Sequence, residues 1–226
     1  MAIEEIPGFT FTVFQTDSVP DGVFRQVQDV FAENYRDANQ SYLEKNLGKL
    51  RFLSIATAAD GRLAAYAMGE SRVIDLPRLP ASNVRLAGLC CVSAPFRRHG
   101  LFGRLEGLVL GAYQLPEAER SLSCGRCAHP ASFRGFARSG VAVPRRGHVP
   151  NEWQREVGAA IAEAYGSPGF DPDTFVVSGS GVPIGWPVME IEATPEEWEV
   201  FEHVDRSKGD SLLGIRWVET PPAGWE

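Results

Sequence analysis

Apolar positions recur along this chain with two periods. Short alternating or unbroken apolar runs at Phe9–Phe14, Arg51–Thr57, Leu63–Glu70, Leu86–Val92, Ser121–Ala128, Phe175–Val177, Val188–Ile191 and Leu212–Val218 predict strands. Helical spacing places Val23, Val27, Val30 and Phe31 on one helix, and Leu101, Phe102, Leu105, Leu108 and Val109 on another. Further helices are expected over Asn34–Lys49, over Asn151–Tyr165 with Asn151 as N-cap, and over Pro195–Phe201. Asp60-Gly61 favours a tight hairpin turn. Asp75–Asn83, with Pro77 and Pro80, reads as a loop, and Gln114–Arg120 as a connection. Gly179–Gly185 is glycine-rich and reads as a flexible stretch able to close over a ligand. Strands and helices intermingle, so the class is α/β.

One stretch carries more than packing. The apolar run Leu86–Val92, broken only by Gly88, is followed by Pro95, then by Arg97-Arg98-His99-Gly100, then by the helix from Leu101. A strand, a basic glycine turn and a helix make a site for an anion. The first N–H groups of a helix have no internal partner and sit at the positive end of its dipole. Gly100 lets a phosphate approach the backbone, and Arg97, Arg98 and Arg104 add charge.

Arg97-Arg98-His99-Gly100-Leu101-Phe102 resembles the acyl-CoA pyrophosphate loop of the GNAT N-acetyltransferase superfamily, [Q/R]-x-x-G-x-[G/A]. Phe102 stands where that motif has a small residue, and Gly103 comes one place later. A second stretch, His129 to Val141 (HPASFRGFARSGV), resembles the later GNAT segment N-x-x-A-x-x-L-Y-x-x-x-G-[F/V] and follows a strand in the same order. The resemblance implies a mixed, mostly antiparallel central sheet whose fourth and fifth strands splay apart, with helices on both faces and an enlarged C-terminal part. It implies one domain over residues 1–226, with an insertion at 144–185 before the last strands. It also implies an acyl-CoA co-substrate, acetyl-CoA or another, held by Leu89, Cys90, Cys91 and Val92 along the splayed edge. The loop Arg97, Arg98, His99, Gly100, Leu101, Phe102 and Gly103 would hold its pyrophosphate, with His129, Ser132 and Phe136 from the later segment. Tyr35 and Tyr42, in the first helix pair, are the expected acceptor-site residues.

Acyl transfer needs a base for the acceptor and an acid for the leaving thiolate. Many relatives use a tyrosine as the acid, and Phe136 stands at that position here. Ser139, Ser132, Cys91 or a water are the substitutes. For the base, Glu70 ends the third strand and either faces the acceptor or is a solvated surface acid, while His129 titrates near neutrality. The four cysteines, at 90, 91, 124 and 127, alternate across strand faces, so no metal site is expected from them.

Composition narrows the rest. With 44% hydrophobic and 23% charged residues, the chain is ordinary for a globular protein, and no apolar run approaches a membrane span. MAIEEIPGF shows no basic segment followed by an apolar one, so the cytoplasm is the expected location. The net charge of −7 argues against a general nucleic-acid binder. The leading expectation is an acyltransferase moving an acyl group from acyl-CoA to an amine or hydroxyl of a small molecule, in specialised metabolism. The alternatives are a GNAT-fold aminoacyltransferase taking its donor from charged tRNA, and a non-catalytic domain binding CoA or a partner. A homodimer through Leu212–Val218 is a further expectation.

Overall fold

The computed structural model describes residues 6–113, 120–138, 140–189 and 191–226. Ser139 and most of the Gln114–Arg120 connection lie outside the described residues. In chain order the elements are β1 (Phe9–Gln15), α1 (Asp21–Asn34), β2 (Tyr35–Arg36), α2 (Gln40–Leu47), β3 (Phe52–Ala58), β4 (Leu63–Leu76) and β5 (Leu79–Val92). Then follow α3 (Leu101–Gly111), β6 (Ser121–Cys127), α4 (Pro130–Ala137), α5 (Glu152–Ala164), β7 (Val176–Val177), β8 (Trp186–Pro187), α6 (Pro195–Glu199) and β9 (Ser211–Trp217). These residues form two compact units, with β4 and β5 contributing a segment to each.

The first unit comprises residues 6–71, the stretch from Ala87 through α3, and Gly185–Met189. Its strands run in the order β1-β3-β4-β5. The β1–β3 and β3–β4 pairs are antiparallel, and Asp60-Gly61 turns the second pair, with Gly61 at φ +84° and the Asp60 carboxylate accepting from the Arg62 N–H. Leu101 and Leu105 of α3 pack on Ala56, Ala65 and Ala67, small residues that let the helix come close to the strands. The Ser54 and Ser71 hydroxyls donate to the Leu105 and Leu110 carbonyls and stitch α3 down. Alternation turns Tyr66, Met68 and Glu70 to the other face. The two faces of β5 differ in the same way, since Cys90 and Val92 join the cluster under α3. Gly88 is required by crowding: a Cβ there would lie 2.9 Å from the Met68 carbonyl oxygen and against Leu50.

The expected helix over Asn34–Lys49 is two elements. Helix α1 ends at Asn34, the chain makes β2, turns through Asp37 at φ +52°, and restarts at Gln40 with the Asn39 side chain capping α2. The reason is a long-range pairing: β2 binds β8, with Tyr35 opposite Pro187 and Arg36 opposite Trp186. The same pairing places the late strand at Trp186–Pro187, where Val188–Ile191 was expected.

The second unit has strand order β4-β5-β6-β9-β7. Strands β5 and β6 are neighbours, and the Asn83 N–H donates to the Arg120 carbonyl just before β6. Strands β6 and β9, and β9 and β7, pair antiparallel. The mixed, mostly antiparallel α/β architecture is the expected one. One expectation is corrected: Asp75–Asn83 is a hairpin end, because Arg78 and Ala81 take left-handed conformations and the Asp75 carboxylate accepts from the Ala81 N–H. Strand β9 lies between β6 and the two-residue β7, which pairs with it at Ser211 and Leu212. Segment 144–185 holds α5 and β7 and is tied in through β7 and through the Trp153 indole, which donates to the Pro77 carbonyl.

Candidate active site

The end of β5 leads into one 3-10 turn, Ala94–Phe96, anchored by the Ser93 N–H on the Ala64 carbonyl. Two left-handed residues follow, Arg98 at φ +69° and Gly100 at φ +78°. A Cβ on Gly100 would meet only Ile6, at 3.8 Å, so glycine is needed there for its φ rather than for space. His99 secures the turn: its Nδ1 lies 3.1 Å from the Phe96 carbonyl and 3.0 Å from that of Arg97, and must carry the proton because carbonyls only accept. Phe9 packs edge-on against both Phe96 and His99.

Gly100 is the N-cap of α3 and supplies no side chain to it. The Arg104 N–H is the first to find the Gly100 carbonyl. Among the described residues no acceptor is found for the N–H groups of Leu101, Phe102 and Gly103. Arg98, His99 and Gly100 are exposed, and the Phe102 ring is 53% exposed. The turn thus presents a row of backbone donors, at the positive end of a helix of 11 residues, beside one exposed guanidinium.

The other two arginines are differently employed. Arg104 lies over the Phe11 ring, 5.1 Å from its centroid. Arg97 turns back into the unit, its Nε donating to the Val92 carbonyl at 3.3 Å and its Nη2 to the Asn34 side-chain oxygen at 2.7 Å.

Behind β5 lies a buried pair, the Tyr66 phenol and the Cys91 thiol. Burial pushes the Tyr66 phenol well above its usual range, with the neighbouring Cys91 adding to the rise. Burial pushes the Cys91 thiol up to about 11, against smaller opposing effects of Tyr66 and Arg97. Burial thus favours the thiol form of Cys91 over the thiolate. Cys90, turned toward α3, is raised well above its usual range, chiefly by burial. Glu70 is 4% exposed and lies within β4, so the solvated-surface reading is corrected. Tyr35 packs on Phe31 with ring centroids 4.9 Å apart, and Tyr42 lies half-buried in the first turn of α2.

In the second unit His129 is the N-cap of α4, its Nδ1 accepting from the Ala131 N–H at 3.1 Å. The Nδ1 lone pair is thereby committed to the helix, and a proton there would displace the cap. The Ser132 hydroxyl donates to the His129 carbonyl at 2.7 Å. Phe136 stacks on Phe133 at 5.5 Å, and both rings fill the space that a side chain at Gly214 of β9 would occupy. Arg134 forms a two-pronged pair with Glu197 of α6, and the two helices border a cavity of about 290 Å³ floored by Phe133 and Phe201. Cys124 and Cys127 are buried. Among the described residues no three His, Cys, Asp or Glu side chains converge as metal ligands do.

No family model and no curated protein matches the chain. Solved structures with some likeness include acetyltransferases. The ribosomal-protein-S18-alanine N-acetyltransferase of Escherichia coli is 12% identical, with 95% of this chain and 98% of that chain covered, at a TM-score of 0.41. A phosphinothricin acetyltransferase of Sinorhizobium meliloti, solved with AcCoA, is 12% identical with 95% of each chain covered and a TM-score of 0.40. The glucosamine N-acetyltransferase region of a fungal multi-domain β-N-acetylglucosaminidase is 17% identical over 70% of this chain, at a TM-score of 0.38, and this chain spans 17% of that one. At these values the likenesses carry no residue role to this chain.

The sequence reading missed Asn34 and Tyr66. Asn34 is one polar residue at the end of an amphipathic helix, and Tyr66 one aromatic in an apolar strand. Neither carries a local signal, and both matter only through residues distant in sequence.

Proposed function

We propose that this chain is a GNAT-type acyltransferase that moves an acyl group from acyl-CoA to an amine or hydroxyl of a small molecule. The observation that carries this reading is the left-handed turn at Arg98 and Gly100, which follows β5 and opens α3 with N–H donors that have no acceptor among the described residues. Those donors and the Arg98 guanidinium suit a pyrophosphate. The pantetheine then follows the Leu89–Val92 strand, and the acceptor comes from the side of Tyr35 and Tyr42. In the reaction the acceptor's nitrogen or oxygen forms a bond to the thioester carbonyl carbon, the carbon–sulfur bond breaks, and the proton lost by the acceptor ends on the departing sulfur. Glu70 or His129 takes that proton in this reading, and a water, Ser132 or Ser139 delivers it. Phe136 favours a second reading, a CoA-binding domain without turnover, because a ring packed on Phe133 donates no proton.

Calorimetric titration with CoA and acetyl-CoA tests the proposal. The unaltered protein is expected to bind each with a Kd on the order of 1–100 μM, within the usual range for an enzyme's substrate. Gly100→Glu is expected to weaken binding about 100-fold or more, by placing a carboxylate at the positive helix end and a side chain at φ +78°. No heat of binding from the folded, unaltered protein would overturn the reading. Acyl transfer to a panel of small amines separates the enzyme from the silent CoA binder.

A further inference from the structure

Arg97 stands first in the phosphate-loop motif, yet its side chain points away from the mouth of the loop. One guanidinium bridges the Val92 carbonyl, at the end of β5, and the Asn34 side-chain oxygen, at the end of α1. Asn34 is 7% exposed and fully engaged: its side-chain nitrogen donates to the Val30 carbonyl at 2.7 Å, and its own carbonyl accepts from the Val188 N–H at 2.9 Å. The amide can face only one way, because reversing it would set its N–H donors against the guanidinium and its oxygen against the Val30 carbonyl oxygen. Val188 belongs to the segment Gly185–Met189, which crosses β2 through β8. Gly185 closes the segment against Tyr35, since a Cβ there would lie 3.0 Å from the Tyr35 Cβ and 3.2 Å from the Arg36 carbonyl oxygen. Loop, strand end, helix end and strap are thus joined through the Arg97 side chain and through the side chain and backbone carbonyl of Asn34.

We propose that Arg97 is a positioning residue that tethers the strap Gly185–Met189 through Asn34, so that filling the loop at Arg98–Gly103 tightens the strap beside Tyr35. The coupling rests on the donor-site reading above; the tether itself does not. The physical basis is that the Arg97 backbone is part of the loop while its side chain is part of the strap's anchor. A phosphate that holds the loop in one conformation therefore also holds the guanidinium on Asn34.

The experiment is amide hydrogen exchange at Val188, with CoA as the probe, in the unaltered protein, Arg97→Met and Arg97→Lys, each checked for its fold by circular dichroism. Without CoA, Val188 is expected to exchange about 10-fold faster in Arg97→Met. Arg97→Lys, able to reach only one of the two acceptors, is expected to fall between. Saturating CoA is expected to slow Val188 exchange about fivefold or more in the unaltered protein, within the usual span of coupling between sites, and to leave it unchanged in Arg97→Met. Val188 exchange that is equal in all three proteins would overturn the tether. A large loss of CoA affinity in Arg97→Met with unaltered Val188 exchange would also overturn it, and make Arg97 a phosphate ligand. CoA that binds without slowing Val188 would overturn the coupling. If CoA does not bind the unaltered protein, the coupling falls with the donor-site reading, and the unliganded exchange rates alone decide the tether.

Discussion

His129 shows how a single side chain can fill a helix cap by other chemistry. Asparagine, usual at that place in the resembling motif, is among the best N-cap residues, and the His129 Nδ1 fills the same role by accepting from Ala131. His129→Asn is therefore expected to leave stability within a few tenths of a kcal/mol, whereas His129→Ala should cost about 0.5–2 kcal/mol, read from urea denaturation midpoints. A large loss in His129→Asn would show that the ring does more than cap. Arg97 teaches the converse. Its place in the motif was legible in the sequence, but the use of its side chain was not, because Asn34 is 63 positions away and nothing local marks it.

Among the elements, α4 and α6 are joined by charge. Helix α6 opens with a capping box, the Thr194 side chain accepting from the Glu197 N–H while Glu197 accepts from the Thr194 N–H. Glu197 also receives Arg134 of α4, and this pair foremost holds its carboxyl down at about 2, against 4.5 ordinarily. A carboxyl held lower in the folded state binds its proton more tightly when unfolded. The stabilisation is then fully present above pH 4.5 and is lost as pH falls toward 2. Melting temperature is expected to drop across that window, and Glu197→Gln to flatten part of the drop. The effect should be small and shrink with added salt, because the pair is open to solvent. An unchanged profile in the variant would remove the pair from the account of acid stability.

For the second unit the late part of the chain is core rather than tail. Trp225 is fully buried, its indole N–H donates to the Val141 carbonyl, and its ring lies edge-on to Trp153 and Trp217 at 5.5 and 5.3 Å. The Gln154 amide and the Asn151 amide both reach the Trp225 carbonyl. Trp225→Ala is expected to cost about 3–5 kcal/mol in chemical denaturation, the usual range for an aromatic removed from a core. A cost below about 1 kcal/mol would show that the ring is not part of that core.

Much of this architecture was legible in the sequence, for a reason that can be stated. Alternation along β1 and β3, the Asp60-Gly61 turn, the capping residue Asn151 and the strand–turn–helix around Gly100 are short-range properties, settled by residues within a few positions of each other. They specified the α/β class, most elements and the candidate phosphate loop. The folded chain alone shows which way each polar side chain turned and which short segments found partners. Strand β2 exists because β8 pairs with it, the hairpin end of β4 and β5 is held by Trp153, and Arg97 faces Asn34 rather than the loop mouth. Each of these depends on contacts between residues far apart in the chain, whose free energy becomes available only when the intervening elements have packed.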